Sequence, residues 1–143
     1  PLIEETTEEK NDVSKETFNS VFGNENVLIV DDVLEQRQIA SEMLEKLGYS
    51  VTSVASGEEA VNYLVDHSVD LIVLDMIMDP GIDGLETYKR ILKLHPGQRS
   101  VIASGYSETG RVKALQRMGV NSYLKKPYTL EKIGTVVKHT LAA

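Results

Sequence analysis

Val27-Leu28-Ile29-Val30-Asp31-Asp32 is four apolar residues without alternation followed at once by two carboxylates. A strand that shows one face to water alternates polar and apolar residues, whereas an unbroken run has both faces covered. The same figure returns at Leu71-Ile72-Val73-Leu74, which ends in Asp75, with Met76 to Met78 beyond it. Working outward, Ser50 to Ala55, Val101-Ile102-Ala103 and Ser122-Tyr123-Leu124 read as three more strands. The five strands are read as buried apolar runs.

Helical spacing fills the gaps between them. Ile39, Ala40, Met43, Leu44 and Leu47 recur at helical intervals and stop at Gly48. Ser56 with Glu59 forms a capping box for a helix through Val61, Leu64 and Val65. A turn with Pro80, Gly81 and Gly84 leads to a helix carrying Leu85, Tyr88, Ile91 and Leu92. A fourth helix carries Val112, Leu115 and Met118, and a fifth, opened by Thr129, carries Leu130, Ile133, Val137 and Leu141. Strands alternating with helices predict an α/β fold: a doubly wound five-stranded parallel sheet of order 2-1-3-4-5 with five helices. Residues 1–25 differ: Glu4, Glu5, Glu8, Glu9 and Asp12 make an acidic linker in which Ser14 to Gly23 could form one short helix. The folded domain is expected over 26–143.

Composition narrows the function. The 143 residues carry a net charge of -7 and no cysteine. That excludes disulfides and thiolate chemistry, suits a reducing cytoplasm, and argues against a nucleic-acid surface, which needs clustered Lys and Arg. No apolar run nears the roughly 20 residues of a membrane span. The first residue is Pro1 rather than Met, so a piece of a longer protein is expected.

In a sheet of this order, ligands bind beyond the carboxyl ends of the strands where the order switches. Asp31-Asp32, Asp75, Ser104 and Lys125-Lys126-Pro127 each directly follow a strand at that edge. Carboxylates about 5 Å apart at an effective dielectric of ~20 repel by about 3 kcal/mol per pair, so a cation is required. Oxygen-only donors with room for water and phosphate suit Mg²⁺. A carboxylate is a competent nucleophile toward phosphorus, and phosphoryl transfer mainly needs positioning and charge neutralisation. The residues therefore point to an aspartyl-phosphate site. Each alone has a blander explanation: the acids as helix caps, Ser104 as a turn residue, Lys126 as a solvated charge. Their joint placement favours chemistry.

With VLIVDD, DLIVLDMIM, GIDGLE, VIASG and SYLKKPY in this order, the chain from about Val27 to Leu141 resembles the receiver domain of two-component response regulators and hybrid histidine kinases. That flavodoxin-like family implies Asp75 as phosphoacceptor, and Asp32 and Asp75 as direct Mg²⁺ ligands. It also implies Asp31 acting through water and the Ile77 backbone carbonyl as a further ligand. Ser104 matches the hydroxyl that bonds the phosphoryl oxygen, Lys126 the essential lysine before a cis Pro127, and Tyr123 the aromatic that moves with Ser104 in switching. Lys125 is a bystander, and the small Gly105 leaves access to the phosphoryl group. No further cofactor is implied. The partner would be a histidine kinase dimerisation and phosphotransfer domain, in cis or in trans, or a histidine phosphotransfer protein. The domain would promote only its own phosphorylation and dephosphorylation, in the cytoplasm, with a parent chain free to be membrane-attached. A hybrid histidine kinase is the preferred parent and a free-standing regulator the alternative.

The loop after Asp75 departs from the family by one residue, with Asp79 as the insertion. His67, His95 and His139 fall at helix ends, where a cation suits the helix dipole better than metal binding. Arg111, Lys113 and Arg117 read as a solvated helix face. An interaction module that lost its chemistry, a flavin site and an aspartate phosphatase are the competing functions. Asp31-Asp32 would repel a flavin phosphate, and Val33-Leu34 stand where a phosphatase needs its second Asp.

Overall fold

The structure, a computed structural model, describes residues 22–78, 81–105, 109–120 and 122–143. The acidic stretch 1–21, most of the short helix expected within the linker, and Asp79 with Pro80 lie outside the described residues. In chain order the elements are β1 (Asn26–Val30), α1 (Leu34–Lys46), β2 (Ser50–Val54), α2 (Gly57–Asp66), β3 (Leu71–Asp75), α3 (Gly84–Leu94), β4 (Ser100–Ser104), α4 (Thr109–Arg117), β5 (Tyr123–Lys125) and α5 (Leu130–Ala142). All strand pairs are parallel and the order is β2-β1-β3-β4-β5, as expected.

Side chains alternate across a strand, so each buried run feeds two cores. Val27, Ile29, Val73 and Val101 meet Ala40 and Leu44 of α1 and Ile133 and Val137 of α5. Leu28, Val30, Ile72, Leu74 and Ile102 meet Ala60 and Leu64 of α2, Tyr88 and Ile91 of α3, and Leu115 of α4. Register then aligns the strand ends: Val30 lies beside Leu74, Asp75 beside Ala103, and Ser104 beside Lys125.

Several local expectations change. β2 is not a buried run, for Ser50 and Ser53 are exposed. It is an edge strand with one neighbour, so less of it is covered. It ends at Val54, and β5 runs Tyr123–Lys125, one residue later than the apolar pattern predicts. Ile39 and Val65 keep 51% and 62% of their surface exposed. Each adjoins a buried residue, Ala40 or Leu64, and one helical step of about 100° carries it off the inward stripe. Ser56 accepts the Glu59 N–H at 3.1 Å as expected, but Glu59 reaches back to the N–H of Ala55, not that of Ser56. Thr129 caps α5 by accepting the Lys132 N–H.

The histidines do sit at helix ends. His67 follows α2 and donates from Nδ1 to Tyr63 O at 3.0 Å, and its ring stacks on that of Tyr63. His95 follows α3 and ties it to α2 through Leu64 O at 2.7 Å. Arg111 is not simply solvated: its guanidinium lies 3.0 Å from Asp83, which also caps α3 through the Glu86 N–H. α4 is thereby fastened to the start of α3.

Candidate functional site

Strand ends are pinned before their side chains are placed. Asp31 N–H donates to Val54 O at 3.2 Å, Met76 N–H to Ala103 O at 3.0 Å and Lys126 N–H to Ser104 O at 2.9 Å. These bonds carry the ladder one step past β1, β3 and β5, where the polar residues emerge. Asp31, Asp32 and Asp75 each present a carboxylate oxygen within 4.8 Å of the others. Asp31 is 4% and Asp75 7% exposed, while Asp32 is open to solvent.

Lys126 reaches across this group. Its Nζ donates to Asp31 Oδ2 and Asp75 Oδ1, both at 3.1 Å, and to Gln36 Oε1 at 2.6 Å. The Lys126–Pro127 peptide is cis, matching the expectation. Asp31 does two things at once. Its Oδ1 accepts the Val33 N–H at 2.9 Å, which starts α1, and its backbone carbonyl accepts from Arg37 Nη1 at 2.8 Å. Asp31 is therefore not the cap of α1, whose N-cap is Val33 without a side-chain bond; it fixes the turn that leads into the helix while its other oxygen serves the site.

Burial pushes the Asp75 carboxyl up to about 6, and the nearby Asp31 charge adds to this, against the pull of Lys126 and the Ile77 N–H. Burial also disfavours the Lys126 charge, but Asp75 and Asp31 outweigh it and hold that pKa above the ordinary lysine value. Lys126 therefore stays an ammonium while Asp75 retains a proton more readily than a surface aspartate. The asymmetry comes first from burial of the Asp75 carboxyl and then from the second buried carboxylate beside it, while Lys126 gains from both acids.

Three carboxylates against one ammonium leave excess negative charge at neutral pH, in a cluster made of hard oxygen donors. Those are the properties that Mg²⁺ selects, so the residues present fit that ion. Ile77, whose carbonyl is the fourth expected ligand, is 49% exposed beside Asp75.

The loop that leaves Asp75 returns closely over it. Gly84 N–H bonds to Met76 O at 3.0 Å, and a Cβ on Gly84 would lie 2.6 Å from Asp75 O and 2.9 Å from Met76 Cα. Farther along, Glu58 of α2 accepts the Ile82 N–H at 3.0 Å, which holds its carboxyl below the usual range. Ser104 ends β4, partly exposed on the same edge, and nothing lies within 4 Å of where a Gly105 Cβ would be. Tyr123 is half-buried against the second core, and its single hydroxyl proton is within reach of two acceptors, Val120 O (3.1 Å) and Val112 O (3.3 Å). Lys125 is exposed.

Asp31, Asp32, Asp75 and Lys126 are thus in direct proximity, with Ser104 and Ile77 at the same edge, whereas Tyr123 opens β5 opposite Ile102, two positions back from that edge. Gln36, Arg37, Glu58 and Gly84 hold roles there that sequence reasoning missed. The Asp83-Gly84 pair at a helix start is a signal for the last; nothing in the spacing marks Gln36.

A fold of this order with an acidic cluster and a lysine at its switch point defines a class, and comparison gives it a family. The profile of the response regulator receiver domain matches residues 27–138, and the chain belongs to that family. It is a receiver domain of two-component signalling. It is 32% identical over 118 residues to Sporulation initiation phosphotransferase F of Bacillus subtilis (strain 168), covering 82% of this chain and 94% of that protein. To Sensor kinase CckA of Brucella abortus (strain 2308) it is 31% identical over 128 residues, 88% of this chain and 13% of that protein. Among solved structures, a receiver domain protein (CheY-like) from Methanospirillum hungatei JF-1 superposes with a TM-score of 0.78 at 24% identity, covering 84% of this chain and 95% of that one. The N-terminal domain of a response regulator/sensory box/GGDEF 3-domain protein from Carboxydothermus hydrogenoformans gives 0.76 at 27% identity, covering 82% and 94%.

Proposed function

We propose that Asp75 is the phosphoacceptor of this receiver, charged by a phosphohistidine. The observation that carries the reading is the buried Asp75 carboxylate held 3.1 Å from the Lys126 ammonium within a cluster of three acids. An Asp75 oxygen attacks phosphorus in line; the P–O bond forms as the P–N bond breaks, and the electron pair leaves on the imidazole nitrogen. Asp31, Asp32, Asp75 and the Ile77 carbonyl would hold Mg²⁺, which when bound supplies charge neutralisation at the phosphoryl oxygens. Lys126 balances the carboxylates before transfer and a phosphoryl oxygen afterwards. Ser104 donates its hydroxyl to another of those oxygens, a charge-assisted bond worth about 1.5–3 kcal/mol, and Tyr123 responds to that shift. The receiver proper is 26–143, and residues 22–25, at the end of what the sequence reads as linker, are hydrogen-bonded to it.

We place the domain in a hybrid histidine kinase, where the donor histidine belongs to the same chain or to a histidine phosphotransfer protein. The similarity to a sensor kinase over 88% of this chain supports that parent. Near-complete coverage of Sporulation initiation phosphotransferase F supports the free-standing alternative. The full gene sequence decides between them. Either parent places the domain in the cytoplasm; among the described residues no helix is long and apolar enough to cross a membrane.

Acetyl phosphate with Mg²⁺ should add one phosphoryl group to the wild-type chain, read by mass spectrometry. Asp75→Asn should abolish it with the fold intact, and excess chelator should abolish it in the wild type. An undiminished phosphorylated peak in the variant would remove Asp75 from the role.

A further inference from the structure

An ammonium has three N–H donors and no more. On Lys126 all three are engaged: two by the buried carboxylates Asp31 and Asp75, the third by Gln36 Oε1, at 2.6 Å the shortest of the set. Gln36 lies on the first turns of α1, exposed, 90 positions from Lys126 in the chain. It is the one neutral acceptor of the three.

That neutrality matters once phosphoryl transfer has taken place, so the inference rests on Asp75 as acceptor. When Asp75 becomes an acyl phosphate, its esterified carboxyl loses its charge and its hold on Lys126 weakens. Asp31 and Gln36 keep theirs. With two N–H directions fixed by acceptors on β1 and α1, tetrahedral geometry points the third back to where Asp75 Oδ1 stood, where the phosphoryl oxygens now lie. Remove the Gln36 acceptor and Asp31 alone holds the head, so the side chain can swing about that one bond and carry the third N–H off target. A charged residue in its place would add to an acid cluster already short of cations; a carboxamide aims the lysine without that cost.

We propose that Gln36 is a positioning residue that aims Lys126 at the phosphoryl group. Two readouts test it. The first is the ¹⁵N-detected signal of the Lys126 ammonium in the chelated protein, where three acceptors slow its proton exchange. The second is the maximal rate of phosphorylation by acetyl phosphate at saturating Mg²⁺. Gln36→Met keeps the length and removes the acceptor; Gln36→Glu keeps an oxygen at the same reach. The Met variant should lose the slowly exchanging ammonium signal and fall roughly tenfold in maximal rate, the low end of what one charge-assisted hydrogen bond provides. Its half-saturating Mg²⁺ concentration should not change, and the Glu variant should keep the ammonium signal. If the wild type is phosphorylated and the Met variant matches it in both readouts, or if Met and Glu behave alike, the positioning role is overturned. If the wild type itself takes no phosphoryl group, the reading of Asp75 fails first and this inference falls with it.

Discussion

At the Asp75 carboxyl, 7% exposed and beside Asp31, ionisation is completed only above about pH 6. A carboxyl raised in the fold above its ordinary 3.8 binds more protons native than unfolded between those two values. The contribution of Asp75 to the stability of the metal-free domain is therefore lost as pH rises through that window and is level above it. The shift corresponds to at most about 3 kcal/mol. Urea unfolding in chelator should show this loss between about pH 4 and 6, and Asp75→Asn should remove that slope and be the more stable form at neutral pH. A difference in stability between wild type and Asp75→Asn that stayed constant through the window would contradict the burial argument. Below about pH 6 Mg²⁺ binding must displace the Asp75 proton, so binding should release a proton there and weaken as pH falls.

The element that most constrains Asp75 is α3, whose start is stacked against the strand it follows. A side chain on Gly84 would meet Asp75 O, Met76 Cα and Met76 O, all backbone, so no rotamer change can accommodate it. Gly84→Ala should cost roughly 1–3 kcal/mol by overpacking, measured by denaturant unfolding, and should slow acetyl phosphate labelling because the yielding backbone belongs to the acceptor. Unchanged stability and rate would mean that the loop has slack. The elements themselves were largely legible in the sequence, because the inner parallel strands, buried on both faces, leave unbroken apolar runs and because Ser56 and Thr129 cap the helices they precede. Interactions between elements were not. Arg111 carries no mark of its pairing with Asp83, Ile39 and Val65 are apolar yet exposed, and Gln36 became a partner of Lys126 only once that lysine, past the end of β5, reached back across the sheet edge to the start of α1. Such contacts depend on how helices settle on the sheet, which periodicity does not encode.

Across the whole molecule, the two ends of the parallel sheet carry different work. The acid cluster and Lys126 lie past the carboxyl ends, and this half of the site was readable because the topology sends every such residue to one edge. The amino ends hold something the sequence concealed. Acidic composition drew the linker to residue 25, yet residues 22–25 are bonded to the domain. Gly23 N–H donates to Leu47 O at 2.9 Å, Ser50 N–H to Glu25 O at 3.0 Å and Lys138 Nζ to Phe22 O at 2.9 Å. Gly23 lies against the Tyr49 ring, and Gly48, at φ +100°, leaves no room for a side chain beside the Gly23 carbonyl. A chain beginning at Asn26 loses all three bonds and uncovers a ring now 3% exposed; one beginning at Phe22 keeps them. The shorter chain should be less stable by about 1–3 kcal/mol, from lost hydrogen bonds and uncovered apolar area together. Urea midpoints of the two truncations give the comparison, and equal midpoints would put the working boundary at residue 26. Both should take a phosphoryl group on Asp75 at similar rates, because the bonds removed lie at the opposite end of β1 from Asp31.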